Sequence, residues 1–320
     1  MSGGLARGTR PAAPEAVAPR DVTCVIVAYH RPALLGAQVA RLVNGGLPVI
    51  VVNVEADPEV RAVVERRGGR TVDLADNPGY AAAVNTGVGA ARTELVVFMN
   101  DDAWIQPEAV RRLAAVVGSG AAEVAVPRVI DDTGRPELSI AAVPTPASLA
   151  REWLLLPDRP IPVLRGRLRV QKWRDPRTAE RIDAAAAVVV ATTRALVRQE
   201  PLPDAYFLYW EESEWFWRLR ERRAVVEYRP EVECVHAGGR EDVRSEKSRL
   251  LARNAVRCVR RTQGVRRGAI AWIVVVAWNL RLTAADGLRF LRRPTPDRRA
   301  RLVARWAGLV AACGTWRELR

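Results

Sequence analysis

Residues 22–53, VTCVIVAYHRPALLGAQVARLVNGGLPVIVVN, contain two short apolar runs separated by a longer stretch with apolar residues at helical spacing. The β-branched runs at 22–28 and 48–53 are typical of buried strands. The stretch between them, residues 31–43, ends at Asn44-Gly-Gly46 and is predicted to be a helix. Strand, helix and strand in this order form a βαβ unit, which indicates a parallel sheet.

The same alternation continues along the chain. Further strands are predicted at residues 70–74, 94–99, 123–127, 182–193, 224–228 and 232–235. Helices are predicted at residues 57–67, 78–91 and 211–223, and from residue 107 onward. We therefore expect an α/β fold with a mostly parallel, Rossmann-like sheet flanked by helices.

The net charge of +14 is concentrated at the C-terminal end of the 320-residue chain. Residues 240–320 contain 20 basic and 6 acidic side chains, whereas the remainder contains 30 of each. A neutral body with a basic end favours a polyanionic partner, either acidic lipid headgroups or nucleic acid. We expect three parts: a disordered segment at 1–20, an α/β domain at 21–240, and a basic, amphipathic helical region at 241–320.

Two apolar, Trp-containing stretches lie within the basic region, at 269–280 and 302–316. The first is bounded by Arg267 and Arg281 and is shorter than the ~20 residues that a membrane-spanning helix needs. Arg beside Trp and Leu is typical of helices that lie in the bilayer interface. The alternative is a helical pair that packs on the α/β domain or forms a dimer.

The cysteines and the first residues indicate the compartment. Cys24, Cys234, Cys258 and Cys313 have no CxxC spacing, which predicts neither a zinc site nor a disulfide framework. Residues 1–20 lack the apolar core of a signal peptide. These features favour a reducing cytoplasm.

Polar residues follow the predicted strands, where parallel α/β sheets bind ligands. Asn100-Asp101-Asp102 directly follows the strand at 94–99. Adjacent carboxylates repel one another, and Mg²⁺ or Mn²⁺ relieves that repulsion in sites that also hold substrate phosphates. The alternative is a turn in which an aspartate caps the next helix.

A second acidic cluster lies in residues 206–218, YFLYWEESEWFWR. Three carboxylates begin a predicted helix among aromatic residues, which raise the pKa of a carboxyl group and suit a general base. The alternative is ordinary charge complementation of the helix dipole. His236 follows the last predicted strand, where it is either structural or a ligand of metal or phosphate.

Taken in order, these segments resemble family 2 glycosyltransferases with the GT-A fold, in particular rhamnosyltransferases and galactofuranosyltransferases of bacterial cell-surface glycans. The resemblance covers about residues 22–239, with a weaker similarity at Arg253-Asn254. Residues 25–32, VIVAYHRP, are similar to the family's first strand and nucleotide loop. Residues 77–87, NPGYAAAVNTG, are similar to its Asn-x-Gly…Asn-x-Gly signature, and residues 206–218 to its FFxYxEDxDxxxR segment.

The resemblance also implies roles for individual residues. Asp102 is the implied metal ligand, assisted by Asp101 and His236, and Glu212 is the implied catalytic base. The implied donor-binding residues are Tyr29, Arg31, Asn53, Asn77, Gly79, Asn85 and Asp101, of which Asn85 braces the loop. The implied supporting residues around the base are Glu211, Glu214 and Arg218. Glu212 and Asn53 both stand where the family usually has Asp.

The resemblance implies a metal-dependent, inverting transfer that uses Mg²⁺ or Mn²⁺. The expected donor is a nucleoside-diphosphate sugar, dTDP-rhamnose or a UDP-sugar, and the acceptor is a hydroxyl of a cell-envelope glycan or lipid-linked acceptor. We expect the chain at the cytoplasmic face of the cell membrane, bound peripherally to its anionic surface. We expect residues 131–181 to determine which sugar and which acceptor bind. The sequence leaves the oligomeric state undecided.

Three other functions are weighed against this one. A nucleotide-sugar-binding or membrane-scaffold protein with the same fold but no turnover is the alternative that the departures at Glu212 and Asn53 favour. No nucleic-acid partner is expected, because no stacking or groove-reading module is present. A nucleotidyltransferase would need a Gly-rich phosphate loop after the first strand, which VAYHR at residues 27–31 lacks.

Overall fold

The structure, a computed structural model, describes residues 21–29, 32–137, 139–151, 153, 177–237 and 245–319. Its strands are β1 (Val22–Ala28), β2 (Val49–Val54), β3 (Arg70–Leu74), β4 (Leu95–Asn100), β5 (Ala103–Ile105), β6 (Val124–Ile130), β7 (Ile140–Ala141), β8 (Glu180–Arg181), β9 (Ala184–Ala185), β10 (Val189–Thr193) and β11 (Val226–His236). Its helices are α1 (Pro32–Asn44), α2 (Pro58–Arg66), α3 (Tyr80–Ala90), α4 (Pro107–Gly118), α5 (Pro146–Ala150), α6 (Arg194–Gln199), α7 (Glu211–Glu221), α8 (Ser245–Gln263), α9 (Val265–Arg292), α10 (Pro296–Gly314) and α11 (Trp316–Leu319).

The central sheet has the strand order β3-β2-β1-β4-β10-β6-β11-β5, with β8 also paired to β11. The first four strands in this order are mutually parallel. This confirms the predicted α/β fold, and the βαβ unit that begins at Val22 is its first element. Strands β5, β8 and β10 run antiparallel to their neighbours, so the sheet is mixed on the side beyond β4.

Three predicted strands differ from the structure. The Ala/Val-rich stretch 182–193 is divided into β9 and β10, and residues 186–188 between them line a cavity instead. Conversely, the stretches 224–228 and 232–235 belong to one strand, β11, with a bulge between Arg229 and Glu233. The bulge absorbs Pro230, which has no amide hydrogen for the ladder.

Helices cover both faces of the sheet. One apolar layer contains side chains of α1, α2 and α4, and the other contains side chains of α3, α6 and α7. Trp215 of α7 is fully buried and packs edge-on against Phe98 of β4, with ring centroids 6.1 Å apart. Complete burial of a large apolar side chain contributes about 1.5–3 kcal/mol, so this contact anchors α7 on the sheet.

The C-terminal helices pack on the α/β domain and on one another. Tyr206 and Trp210 share one buried apolar cluster with Val256 of α8, Val275 of α9 and Ala312 of α10. Part of the surface of these helices therefore packs on the α/β domain, as the alternative prediction states. The division of the chain at residue 240 stays a prediction.

Helix α9 is longer than the apolar run that was singled out in the sequence. It extends 28 residues, past Arg281, and is the one described helix that is long and apolar enough to cross a membrane by length and composition. The apolar run at 269–280 is only part of it, because the helix continues through largely uncharged residues after Arg281. The run itself stays shorter than a membrane-spanning helix needs, whereas the whole of α9 meets that length and composition.

Candidate active site

A cavity of about 690 Å³ lies at the carboxyl ends of β1 and β4, against the start of α7. The sequence-predicted residues that line it are Tyr29, Asn77, Gly79, Asp101, Asp102, Glu211, Glu212 and His236. The two acidic clusters, separated by about a third of the chain, therefore face the same space. This is the edge at which open α/β sheets bind ligands.

Asp101 and Asp102 occupy the turn between β4 and β5. Asp101 Oδ2 accepts a hydrogen bond from the backbone amide of Tyr29 at 3.1 Å, which ties this turn to the end of β1. The backbone carbonyl of Asp102 accepts from the amide of Ala237 at 2.8 Å. The turn is therefore fixed between two strand ends, with its carboxylates toward the cavity.

His236 joins this turn because β11 pairs with β5 and places His236 opposite Ala103. Its Nε2 atom lies 3.4 Å from Asp102 Oδ1, and its Nδ1 atom lies 2.7 Å from Glu137 Oε2. The hydrogen bonds to Asp102 and Glu137 raise the pKa of His236 to about 9 in the metal-free protein.

Glu137 was missed by sequence reasoning. It lies beyond β6, within the stretch 131–181 that was assigned to substrate choice. An acidic residue shortly after a strand of the same sheet edge was the available signal.

Helix α7 carries the second acidic cluster. Glu211 is buried, whereas Glu212 is partly accessible, and both line the cavity. Three carboxylates in the first turn of a helix are stabilised by the helix dipole. Glu212 is therefore the carboxylate of this helix that a substrate in the cavity can reach most easily.

Glu214 and Arg218 have other contacts. Buried Glu214 accepts hydrogen bonds from Tyr206 at 2.6 Å and from Arg261 of α8 at 2.7 Å. Arg218 contacts Glu200 and the carbonyl of Pro201. Neither side chain lines the cavity, so both support the position of α7.

The loop before α3 is in close backbone contact with the loop before α7, beside the cavity. Gly79 has a φ of 91°, and a Cβ atom there would lie 2.3 Å from the carbonyl oxygen of Phe207. The amide of Tyr80 donates to that same oxygen at 3.1 Å, and Asn77 Oδ1 accepts from the amide of Gly79 at 3.1 Å. Only glycine fits where these two loops meet.

Tyr80 was also missed by sequence reasoning. Its hydroxyl donates to the carbonyl of Ala187 at 3.0 Å. Burial raises its pKa well above the usual value, and the negative charges of Glu211, Glu212, Asp102 and Asp101 raise it further. These four carboxylates line the cavity together, an arrangement that suits a cation.

Two implied donor-binding residues lie outside the cavity lining. Asn53 is fully buried and donates to the carbonyl of Asp57 and to Asp73, at 3.0 and 2.7 Å. Asn85 exchanges two hydrogen bonds with the backbone of Leu202, which agrees with a bracing role. Arg31 lies outside the described residues.

The acidic edge of the cavity fits a divalent cation that is shared with a substrate. Among the described residues, no three His, Cys, Asp or Glu side chains form a complete cluster of metal ligands. Mg²⁺ is usually held by one or two carboxylates together with substrate phosphates, and does not need a cage built from protein alone. Asp102 and His236, with Asp101 beside them, provide such a partial set.

Comparison with known proteins connects this site to a family. Residues 23–154 match the family described as glycosyl transferase family 2. The low-salt glycan biosynthesis hexosyltransferase Agl10 of Haloferax volcanii is 24% identical over 251 residues, which cover 74% of this chain and 76% of that protein. The succinoglycan biosynthesis protein ExoO of Rhizobium meliloti is 30% identical over 112 residues, which cover 33% of this chain and about a third (32%) of that protein.

Two solved structures share the fold. The mannosyltransferase PcManGT from Pyrobaculum calidifontis, in complex with GDP-Man and Mn²⁺, superposes with a TM-score of 0.53 at 15% identity, over 95% of this chain and 89% of that one. GalNAc-T7 with UDP, GalNAc and Mn²⁺ superposes with a TM-score of 0.50 at 12% identity, over 68% of this chain and 43% of that one. Identities this low carry the fold alone, which is the GT-A architecture.

The matched segment contains β1, the Asn77–Gly79 loop and the Asp101–Asp102 turn, and the alignment with Agl10 extends over three quarters of the chain. Together with the GT-A architecture of the sheet, these findings identify residues 23–154 as a glycosyl transferase family 2 domain and the protein as a glycosyltransferase.

Proposed function

We propose that the chain transfers a sugar from a nucleoside-diphosphate sugar to a hydroxyl group, with inversion at the anomeric carbon and dependence on a divalent cation. The observation that carries this proposal is that Glu212 and the Asp102–His236 pair line the same cavity. One wall therefore suits a metal-bound diphosphate and another offers a base. The proposed donor is dTDP-rhamnose or a UDP-sugar.

Asp102 and His236 would hold the cation, with Asp101 beside them. When bound, Mg²⁺ or Mn²⁺ supplies positive charge that stabilises the leaving diphosphate. Glu137 holds Nδ1 of His236, so that Nε2 faces Asp102. The two proteins of the same fold were solved with Mn²⁺ and a nucleotide or nucleotide sugar, which supports this assignment.

Glu212 would accept the proton of the acceptor hydroxyl as its oxygen attacks the anomeric carbon. A single displacement of the diphosphate from the opposite face inverts that carbon. Tyr29, Asn77 and Gly79 line the cavity and would contact the donor. For Asn53 and Arg31, the donor-binding role stays a prediction from the resemblance.

A panel of UDP-, dTDP- and GDP-sugars, each with Mg²⁺, with Mn²⁺ and with EDTA, tests this proposal. We expect one donor to be hydrolysed slowly without acceptor, and hydrolysis to stop in EDTA. Full activity in EDTA would contradict the metal dependence. A product that retains the anomeric configuration of the donor would contradict the single displacement.

We also propose that α9 and α10 bind the cytoplasmic face of the membrane, where a cell-envelope or lipid-linked acceptor is available. Exposed apolar side chains form one stripe along α9: Ile270, Ile273, Leu280, Leu288 and Leu291. Their spacing of three, seven or eight residues places them on one face. Val303, Trp306 and Val310 form a similar exposed row on α10.

The buried face of α9 is mixed, because Ala271, Val274 and Val275 lie in the buried apolar cluster whereas Asn279 and Asp286 are polar. Asn279 and Asp286 are both 7% exposed, and the Asp286 carboxylate pairs with Arg289 and Arg305. A contiguous row of exposed large apolar side chains is unusual on a water-soluble domain and marks an interaction surface. This exposed stripe, together with the basic residues beside it, fits an anionic lipid surface. Flotation with anionic vesicles tests this proposal.

A further inference from the structure

Helix α7, which carries Glu212, begins from a turn that is unfavourable by itself. Tyr209 and Trp210 have φ angles of 68° and 79°, a left-handed conformation that bulky residues rarely adopt. Trp210 occupies the N-cap position, and no side-chain hydrogen bond caps the helix. The turn therefore depends on its surroundings for its shape.

Asn254 of α8 supplies a contact that fits this turn. Its Nδ2 atom donates to the carbonyl oxygens of Leu208 and Tyr209, at 3.0 and 3.1 Å, and its side chain is fully buried. A primary amide carries two hydrogens on one nitrogen, so a single side chain can hold both carbonyls. Leu208 and Tyr209 line the cavity, so the contact reaches the wall of the site.

A second contact from α8 holds the same helix one turn later. Arg261 donates to both carboxylate oxygens of Glu214, at 2.7 and 3.1 Å, and Tyr206 donates to Glu214 Oε2 at 2.6 Å. Helix α8 therefore holds α7 on both sides of Glu212. It lies outside the matched family segment, residues 23–154.

We propose that α8 belongs to the catalytic machinery and that Asn254 is a positioning residue for Glu212. The inference rests on the proposed role of Glu212 as the base. By fixing the carbonyls of Leu208 and Tyr209, Asn254 sets the direction in which α7 leaves the turn, and so the place of the Glu212 carboxylate in the cavity. Arg261 keeps that direction through Glu214.

The test uses the full chain with Asn254→Leu, which has nearly the same size but no donors, and Asn254→Gln, which restores the amide. Asn279→Leu is the matched control, because Asn279 is also buried but donates within its own helix to the carbonyl of Val275. Hydrogen–deuterium exchange of residues 207–214 is measured without any ligand. The kcat and KM are measured with the nucleotide sugar that the panel shows to be hydrolysed.

For Asn254→Leu we expect exchange of residues 207–214 to rise about tenfold, since two hydrogen bonds are lost. We expect kcat to fall about 10- to 100-fold with little change in the donor KM, because small misplacements of a catalytic group are costly. Asn254→Gln should recover part of kcat. Asn279→Leu should leave both measurements unchanged.

Unchanged kcat and unchanged exchange in Asn254→Leu would overturn the proposal. If Asn254→Leu does not fold, Asn254→Gln tests the positioning role instead. Normal exchange and normal kcat in Asn254→Gln support the role of the amide. A folded Asn254→Gln with wild-type exchange but no activity contradicts it. Glu212→Gln separates this inference from the proposed function. If Glu212→Gln is active, the assignment of Glu212 as the base is wrong. If Glu212→Gln is inactive but the Asn254 variants are fully active, only the positioning role of Asn254 is wrong.

Discussion

Nε2 of His236 lies 3.4 Å from Oδ1 of Asp102, although the two residues belong to opposite halves of the chain. The pairing of β11 with β5 brings them together, and Glu137 holds the other ring nitrogen. The orientation of the ring is therefore set before any substrate binds. Side chains that hold the second nitrogen of a ligating histidine strengthen metal binding in many proteins.

Replacement of Asp102 by Asn should abolish transfer while the protein stays folded. The amide keeps the shape of the side chain but removes the charge that a cation and His236 need. We expect the rate to fall at least ~10²-fold, as for the loss of a group that stabilises the transition state by charge. Donor hydrolysis with Mn²⁺ measures this.

Asp132→Asn is the control for this prediction, because Asp132 is exposed and lies outside the cavity lining. Its activity should equal that of the original protein. Equal loss in both variants would mean that net charge matters and the position of the carboxylate does not.

The metal-free protein should lose stability at alkaline pH through His236. Its folded pKa is raised to about 9 by Asp102 and Glu137, whereas the unfolded value is near 6.5. Protonated His236 therefore stabilises the fold fully below about pH 6.5, and this contribution disappears as the pH rises through about 9. Melting temperatures in EDTA across this range test it, and His236→Gln should flatten the decline.

Glu212→Gln and Glu214→Gln should separate catalysis from stability. Glu212→Gln should lower the rate by ~10² to 10⁴, the contribution of a positioned base, with the melting temperature unchanged. Glu214→Gln should lower the free energy of unfolding by about 1–3 kcal/mol, because it weakens a buried contact with Arg261 and Tyr206. If Glu214→Gln instead lost more activity than Glu212→Gln, the base would be assigned to the wrong carboxylate.

Much of the fold followed from local patterns. The βαβ unit from Val22 to Val54 has β-branched strands and a helix that ends at glycines, and such signals depend on neighbouring residues alone. The direction of β10 did not follow, because an Ala/Val run carries no information about its partner strands. The bulge in β11 was likewise hidden, because its two halves were predicted as separate strands and their register depends on pairing with β6.

The residues of the candidate site likewise divide into those that local sequence patterns predicted and those that they did not. Asp101, Asp102, Glu212 and His236 were found because each stands at a strand or helix end in a family pattern, and the structure places all four around one cavity. Glu137 was missed because its role depends on a contact with His236 across the sheet. Such contacts are set by tertiary packing, which spacing along the chain does not show.

The exposed stripe of α9 gives the last prediction, which concerns the membrane. Ile273 and Leu280 are 59% and 56% exposed, so Ile273→Lys with Leu280→Lys should leave the fold intact. Flotation with vesicles of anionic and neutral lipids, at low and high salt, is the measurement. Leu34→Lys is the matched control, since Leu34 is an exposed leucine on α1.

We expect the original chain to bind anionic vesicles and to retain part of that binding in high salt. The salt-sensitive part comes from Arg side chains, at ~1 kcal/mol for each that reaches the surface. The salt-resistant part comes from the apolar stripe, and the double variant should lose it while Leu34→Lys keeps it.

Truncation near Gly264 would be less informative than these substitutions. Helices α9 and α10 also share the buried cluster with Tyr206, so truncation would lower stability as well. A double variant that floats like the original chain would contradict the lipid proposal. The lipid proposal would also be contradicted if the original chain does not bind vesicles but forms a dimer that the double variant cannot form. A second copy of the chain would then cover the stripe.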